Sequence, residues 1–353
     1  TPAQMEAAGF GAVDAEFPVF RHPLTGEEYA LARRETKRGE GYRGFVVDAG
    51  PGVTLEEDLR RRDLTINALY YDSGDFCVYD QVGAMEDLAA RRIRIIGDPW
   101  ARYREDPVRM LRVVRFAAKL DFAIDADSGA AIPDCAPLLA DIPAARLFDE
   151  LLKLFLSGRA LATLRLLRRY GLFTYLFDEA DYLMDEDPGA LALVEAAMAS
   201  TDQRVADDKP VTPAFLLAAL LWPEATRLAA ELEGRGEAPM LAMNSAAQQV
   251  IARSCQQVAI PRRFTQPMRE MWEFQLRLQR RSGKKAAELV EQRRFRAAYD
   301  LLLLREQAGE DTGDLGQFWT EVQSVPLDDR VARLERSGPK RDRPRRRRSS
   351  GPS

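Results

Sequence analysis

Three arginines recur at helical spacing in one short segment and could bind phosphates and the edge of a base. Arg109, Arg112 and Arg115 would form one stripe on a helix, and Glu105 would extend that stripe at its N-terminal end. A guanidinium is a planar fork of hydrogen-bond donors that suits phosphate oxygens and base edges. Asp106, at the start of the predicted helix, would place an acceptor beside the donor Arg109. The same pattern also describes an ordinary salt-bridged surface helix.

A second polar cluster precedes the first in the chain. Arg61, Arg62 and Asp63 are followed closely by Thr65 and Asn67. On a helix, these side chains could hold a ribose and phosphates, or they could form an exposed cluster of ion pairs. Spacing alone leaves both interpretations open.

The elements that must position these clusters change in type along the chain. Alternating residues predict a β-hairpin over 17–34 and a strand over 45–50. Residues 54–71 have helical spacing, with Thr54 as the N-cap. Beyond Asp98 the pattern is almost wholly helical, and the predicted helices cover 107–120, 143–157, 159–170, 189–199, 212–221, 225–232, 245–257, 266–281, 284–290 and 293–307. Strands followed by helices predict the α+β class, a small mixed head with an all-α remainder.

The composition limits the class of protein. The chain has 353 residues, 46% of them hydrophobic, which is enough for two or three domains. Cys77, Cys135 and Cys255 are widely spaced, so they predict free thiols rather than a disulfide framework or a zinc site. We find no apolar run that could span a bilayer and no secretory signal pattern. We therefore expect a cytoplasmic protein with no membrane partner.

The C-terminal end is strongly basic although the whole chain has a net charge of −4. Between Arg336 and Arg348 there are eight Lys or Arg residues and one acid, Asp342. Residues 337–353 have no apolar side chain to bury, so we expect them to be disordered. Two interpretations are open: a solubilising tail, or an RNA-binding arm whose densest part is Arg345, Arg346, Arg347 and Arg348.

Both polar clusters resemble motifs of one enzyme family. RRDLTINALYYD (61–72) and IIGDPWARYREDPVRMLRVVRFAAKLDF (95–122) resemble the second and fourth motifs of the class II tRNA nucleotidyltransferase and bacterial poly(A) polymerase family. Two matches in the expected order are more specific than a single short motif. The resemblance implies a nucleotidyltransferase head with a mixed β-sheet, followed by helical neck, body and tail domains. It also implies Mg²⁺-dependent transfer of a nucleotide to an RNA 3′ end.

The resemblance assigns roles residue by residue. It gives Arg62, Asp63 and Asn67 contacts to ribose and phosphates, and Asp63 a catalytic role. Asp106 and Arg109 match the pair that reads the base. Arg112 and Arg115 match further nucleotide contacts.

The metal motif of the family is not found in residues 1–50. That motif is a glycine-glycine turn followed by an Asp-x-Asp strand. The resemblance therefore places the Mg²⁺ ligands upstream of Thr1, names no metal ligand within the chain, and implies that the chain as given is inactive.

The two ends of the chain resemble different branches of the family. Residues 1–62 resemble the CCA-adding enzymes, whereas the chain from Asp63 onward resembles bacterial poly(A) polymerase. His22 is the only histidine, so the His-rich phosphohydrolase site carried by many CCA-adding enzymes cannot be built. We therefore expect addition of AMP from ATP to RNA 3′ ends. CCA addition is the alternative, and a noncatalytic RNA-binding remnant or chimera is a second alternative.

The resemblance also predicts four parts. They are a partial head without its metal motif (1–99), a helical neck and body that binds nucleotide and RNA (100–205), a helical C-terminal RNA-binding domain (206–335) and the basic tail (336–353).

Overall fold

A computed structural model describes residues 1–13, 18–37 and 45–336 of the chain. The chain divides into two compact units. Unit 1 comprises Thr1–Glu186, Met198–Pro213 and Ala252–Ile260. Unit 2 comprises Asp187–Ala197, Ala214–Ile251 and Pro261–Ser353. Both polar clusters lie in unit 1, whereas the four-part division expected from the resemblance stays a prediction.

All strands of the described chain are short and belong to unit 1. They are β1 (Gly11–Ala12), β2 (Val19–Arg21), β3 (Glu28–Ala30), β4 (Arg34–Lys37), β5 (Phe45–Asp48), β6 (Tyr70–Asp72), β7 (Cys77–Tyr79), β8 (Arg92–Ile93) and β9 (Ala123–Ile124). Strands β1, β2 and β3 form an antiparallel sheet in which Phe20 pairs with Tyr29. The predicted hairpin is thereby confirmed. Strands β4–β5 and β6–β7 form antiparallel pairs, and β8–β9 form a parallel pair.

The helices account for most of the chain. Up to Glu186 they are α1 (Pro2–Ala7), α2 (Leu55–Arg60), α3 (Ala84–Ala89), α4 (Pro99–Glu105), α5 (Val108–Leu120), α6 (Ala126–Ala130), α7 (Ile132–Cys135), α8 (Ala144–Phe155), α9 (Ala160–Arg169) and α10 (Asp178–Glu186). Beyond it they are α11 (Pro188–Ala206), α12 (Pro213–Leu220), α13 (Trp222–Gly234), α14 (Pro239–Gln257), α15 (Arg262–Leu278), α16 (Lys284–Ala287), α17 (Phe295–Gln307), α18 (Leu315–Gln323) and α19 (Leu327–Arg336). The α+β class is confirmed.

Helix α2 begins as predicted but is much shorter. Thr54 caps it, and its side chain accepts a hydrogen bond from the backbone N–H of Glu57. The helix ends at Arg60, so the prediction of one helix over 54–71 is wrong beyond that residue. The reason is long-range pairing, because the Asp63 carbonyl accepts from the N–H of Ile96 at 2.9 Å. This pairing places the second polar cluster in a turn, next to the residues that lead into α4.

Helix α5 is anchored in the core of unit 1 by its apolar face. Met110, Val113, Val114 and Ala117 are all buried, as the spacing predicts. This face packs against helices α8 and α9. Packing in the core therefore fixes the position of α5 and of its polar residues.

Unit 2 has its own core, in which tryptophans are anchored through their indole N–H groups. Trp272 donates to the carbonyl of Ala218 at 2.9 Å, and Trp319 donates to the carbonyl of Leu278 at 2.9 Å. Buried indoles need such acceptors, since an unsatisfied N–H is costly in a core. In the part of the chain that the structure describes, no helix has the length and apolar character needed to cross a bilayer.

Candidate functional site

The start of helix α5 is set by a break in the chain at Asp106. Helix α4 ends at Glu105, and Asp106 is extended, with φ −147° and ψ 97°. The Asp106 carboxylate accepts from the backbone N–H of Val108 at 3.2 Å, at the start of α5. Glu105 therefore belongs to α4, where it pairs with Arg102. The prediction that Glu105 continues the arginine stripe of α5 is wrong.

The two polar clusters are joined by an ion pair between Asp63 and Arg112. Asp63 is 9% exposed, and its carboxylate also accepts from the N–H of Leu64 at 2.8 Å and from the amide of Asn67 at 3.4 Å. Burial would raise the pKa of the Asp63 carboxyl, but the Arg112 guanidinium and these hydrogen bonds outweigh burial and hold the pKa below its usual value. Asp63 is consequently ionised at neutral pH and is paired with the more exposed Arg112.

Arg109 is buried, and the nearby carboxylates of Asp106, Glu105 and Asp63 offset the effect of its burial only in part. It is 7% exposed, and its Nη1 donates to the backbone carbonyl of Arg62 at 3.3 Å. Its Nε has no hydrogen-bond partner among the described residues. Burial, followed by repulsion from Arg102, lowers the pKa of Arg109. A buried guanidinium with unused donor capacity can bind acceptor atoms of a ligand.

The side chain of Arg62 is held by a network that the sequence analysis missed. Its guanidinium donates to Asp58 at 3.2 Å, to the Tyr70 hydroxyl at 2.7 Å and to the carbonyl of Asn67 at 2.8 Å. It also lies 4.7 Å from the centroid of the Tyr70 ring. Burial would raise the pKa of Asp58, but the hydrogen bond from Tyr70 and further donors hold it below its usual value. Asp58 is therefore the anion that anchors this arginine.

Helix α8 contributes two partners that the sequence analysis also missed. Arg146 pairs with Asp106 at 2.7 Å, and Glu150 pairs with Arg115 at 3.3 Å. Glu150 is 6% exposed and also pairs with Lys153 at 2.8 Å. The available signal was their spacing, because residues four apart on the predicted helix 143–157 share a face. Arg115 is thereby paired within the fold rather than with Asp63.

The predicted site residues fall into three groups. Those brought together in unit 1 are Arg62, Asp63, Asn67, Asp106, Arg109 and Arg112. Arg115 follows on the same helix and is paired with Glu150, whereas Arg345, Arg346, Arg347 and Arg348 lie outside the described residues. In residues 1–13, 18–37 and 45–336, no group of three or more His, Cys, Asp or Glu side chains could hold a metal ion. The arrangement is suited to recognising phosphates and a base.

Three family models match successive parts of the chain. The poly A polymerase head domain matches residues 8–94. The probable RNA and SrmB-binding site of polymerase A matches residues 121–184. The arginine-rich C-terminus of polymerase A matches residues 235–351. Helix α5 lies in the gap between the first and second models, whereas Arg62, Asp63 and Asn67 lie within the first.

Individual relatives and solved structures agree with these models. Poly(A) polymerase I of Salmonella typhi is 41% identical over 357 residues, which covers 96% of this chain and 75% of that protein. A multifunctional CCA protein of Stenotrophomonas maltophilia is 50% identical over 173 residues, which covers 47% of this chain and 42% of that protein. The fold is similar to that of the Bacillus stearothermophilus CCA-adding enzyme in complex with CTP, with a TM-score of 0.55 at 22% identity, over 93% of this chain and 68% of that chain.

Proposed function

Since the chain belongs to the poly(A) polymerase family, we propose that it is a template-independent RNA nucleotidyltransferase that adds AMP from ATP to RNA 3′ ends. The observation that carries this proposal is 41% identity to poly(A) polymerase I over 96% of the chain. In the reaction, the RNA 3′ hydroxyl oxygen attacks the α-phosphorus of ATP, and the hydroxyl proton passes to water. A new phosphodiester bond forms and pyrophosphate leaves with the electrons of the broken bond. The protein does little covalent chemistry in this reaction. It positions the two reactants and stabilises the charge that develops on the phosphate.

Asp106 and Arg109 are proposed to select the base. The adenine amino group would donate to the Asp106 carboxylate, and Arg109 would donate to a ring nitrogen. The unused donor of the buried Arg109 supports this role. The break between α4 and α5 supports it too, because it places the Asp106 acceptor just before the arginine stripe.

The remaining residues are proposed to hold the ribose and the triphosphate. The Arg112 side chain is half-buried and its Nε pairs with Asp63, so its terminal Nη groups can donate to phosphate. Arg62 and Asn67 are proposed to contact the ribose and phosphates beside it, with Arg115 as a further cation. The depressed pKa of Asp63 supports a positioning role rather than proton transfer, since an efficient general base has a pKa near the working pH.

Mg²⁺ is the proposed cofactor of the reaction, where it would align the 3′ oxygen and the α-phosphate. The described residues do not fit this ion, because they contain no cluster of metal ligands. The roles proposed above therefore involve no metal. The basic tail, with Arg345, Arg346, Arg347 and Arg348, is proposed to bind RNA phosphates.

The proposed function is tested by measuring which nucleotides are incorporated into which RNA. Labelled ATP, CTP, GTP and UTP are each offered with a single-stranded RNA and with a tRNA trimmed of its 3′ end. Both residues 1–353 and the complete product of the gene are assayed. We expect the complete gene product to add AMP repeatedly to the single-stranded RNA.

The alternatives give different results in the same assay. CCA addition has less support, because the CCA relative covers only 47% of this chain. Incorporation of CMP followed by AMP into the trimmed tRNA alone would favour it and contradict the proposal. RNA binding with no incorporation of any nucleotide by the complete gene product would favour a noncatalytic RNA-binding protein.

The ion pair between Arg146 and Asp106 predicts a selective effect on base preference. Arg146→Ala should reduce the preference for ATP over CTP by about 2- to 5-fold, because the Asp106 carboxylate loses one of its two orienting partners and keeps only the N–H of Val108. The effect is small because Arg146 is 34% exposed, so solvent screens the pair. Equilibrium binding of ATP and CTP gives the ratio. Arg159→Ala, which removes an exposed arginine, is the control, and equal ratios in the two variants would contradict the role of Arg146.

A further inference from the structure

Helix α6 and the connection from β8 to α4 line a cavity in unit 1 that the proposed reaction does not use. Its volume is about 380 Å³, within the range of about 300–1,000 Å³ that is usual for small-molecule sites. Thr65, from the turn that carries Asp63, lines one part of it. None of the residues proposed to hold the nucleotide lines it, so this cavity, called the α6 cavity below, is a site of its own.

Much of the wall of the α6 cavity is hydrocarbon. It is lined by the apolar residues Val82, Ile95, Ile96 and Pro99. Ile95 is 3% exposed and Ile96 is 8% exposed, so both are packed into the fold. Such a wall favours the aliphatic part of a ligand and offers nothing to a compact, strongly hydrated ion.

Two carboxylates line the same cavity. Asp125 caps α6, and its Oδ2 accepts from the backbone N–H and the hydroxyl of Ser128, both at 3.2 Å. Asp127 follows in the first turn and is exposed. Within residues 1–13, 18–37 and 45–336, neither carboxylate has a Lys or Arg nitrogen within 4.0 Å. Two negative charges are therefore left without a counter-ion at the cavity.

Arg94, the one cation among the described residues that line the cavity, is balanced elsewhere. Its Nε pairs with the fully buried Asp87 at 2.8 Å, and its Nη2 donates to the carbonyl of Val82 at 3.1 Å. Arg92 pairs with Asp87 at 2.6 Å and with Glu86 at 3.0 Å, so two arginines are matched by two acids. The charge that remains at the α6 cavity is negative.

We propose that the α6 cavity binds an aliphatic polyamine. Its ammonium groups would donate to Asp125 and Asp127, and its methylene chain would lie against the apolar wall. An ammonium group has three donors and no acceptor, and its hydrogen bonds to carboxylates are strengthened by charge. Two carboxylates beside a hydrocarbon surface match a molecule that carries two ammonium groups on one aliphatic chain.

Other classes of ligand fit the α6 cavity less well. A metal ion needs more ligands than two carboxylates, and in the part of the chain that the structure describes no group of three or more His, Cys, Asp or Glu could hold one. Phosphate-bearing ligands, RNA and ATP among them, are repelled by the same two carboxylates. The inference goes beyond the proposed function and does not depend on it, since amine binding requires neither ATP nor RNA.

The first part of the test varies the ligand and keeps the parental protein. Binding to residues 1–353 is measured by isothermal titration calorimetry without RNA or nucleotide, because polycations bind both directly. Putrescine is the probe, butanediol has its chain without the charge, and Mg²⁺ has its charge without the chain. We expect putrescine to bind, butanediol not to bind, and Mg²⁺ at equal concentration not to displace putrescine.

The second part of the test removes the two carboxylates. Asp125→Asn with Asp127→Asn removes both charges, while asparagine keeps an oxygen that can cap α6. The control is Asp141→Asn with Asp149→Asn, which removes the same charge from two exposed positions of unit 1 that do not line the cavity. The affinity for putrescine should fall by about 10-fold or more in the first variant, because two charge-assisted hydrogen bonds are lost. The control should keep the parental affinity.

Each result supports or overturns the inference. Equal putrescine affinity in the two variants would overturn it, and so would a parental protein that does not bind putrescine. If the cavity variant fails to fold, the ligand series decides, because displacement of putrescine by Mg²⁺ or equally tight binding of butanediol would refute a polyamine site. Incorporation of AMP is measured in a different assay, so its failure would leave the result for the α6 cavity unchanged.

Discussion

Replacing Arg109 with methionine should weaken ATP binding by about 10- to 100-fold without lowering the stability of the fold. A well-placed pair of hydrogen bonds to a base contributes about 1–3 kcal/mol. A change of about 1.4 kcal/mol in binding free energy changes the dissociation constant tenfold. Methionine keeps the length and the apolar stem of the side chain but removes the charge. The free energy of unfolding should stay constant or rise, because a charge that is only 7% exposed is costly to bury and an apolar side chain of similar size is not.

Two measurements on the same protein separate the functional and structural roles of Arg109. Titration with ATP and CTP gives affinity and base preference, and urea denaturation gives stability. Arg104→Met is the matched control, because Arg104 is an exposed arginine on the neighbouring helix α4. Parental ATP affinity in Arg109→Met would refute the base-reading assignment. A loss of stability without a loss of affinity would make Arg109 a structural residue.

The arginine stripe could be predicted from sequence because it depends on local periodicity. Helix α5 spans Val108–Leu120, close to the predicted 107–120, and its apolar face is buried. Glu105 was assigned wrongly because the same spacing continues through Asp106. Helix α4 ends there because the backbone of Asp106 is extended, and a hydrophobic period does not reveal backbone dihedrals.

The partners of the site residues could not be predicted, because they are distant in sequence. Arg112 and Asp63 are 49 residues apart, and Arg146 and Asp106 are 40 apart. Helical spacing specifies which residues share a face, but not what that face packs against. The turn at Asp63 could not be predicted for the same reason. Its carbonyl accepts from the N–H of Ile96, which is distant in sequence, instead of from a residue of the same helix.

Which arginines retain unused donors likewise depends on the tertiary structure. In the sequence pattern Arg109 and Arg115 are equivalent, because each lies about one helical turn from Arg112. In the fold, Arg115 is neutralised by the buried Glu150, whereas Arg109 faces the carbonyl of Arg62. The two arginines are therefore expected to differ in their importance for ligand binding.

Replacing Asp63 with asparagine should destabilise the fold by about 2–4 kcal/mol at neutral pH. The substitution leaves the half-buried Arg112 without its counter-ion, and breaking a fully buried pair costs about 3–5 kcal/mol. The expected loss is smaller because the Arg112 side chain is 32% exposed and solvent screens it. Asparagine keeps an oxygen that can accept from the N–H of Leu64, so the change isolates the charge. Urea denaturation of both proteins measures the difference.

The Asp63 effect should depend on pH in a direction that follows from the lowered pKa. The carboxyl of an unfolded aspartate has a pKa of about 3.9. The pKa of Asp63 in the folded protein lies below that value. The stabilisation is therefore fully present above pH of about 4 and is lost as pH falls through the folded pKa. The difference between the parent and Asp63→Asn should be constant from neutral pH down to about pH 5 and should shrink below about pH 4. Adding Arg112→Met to Asp63→Asn should recover much of the loss, since no unpaired charge then remains. A difference that stayed constant into acid, or a double variant as unstable as the sum of the singles, would show that Asp63 and Arg112 are not coupled.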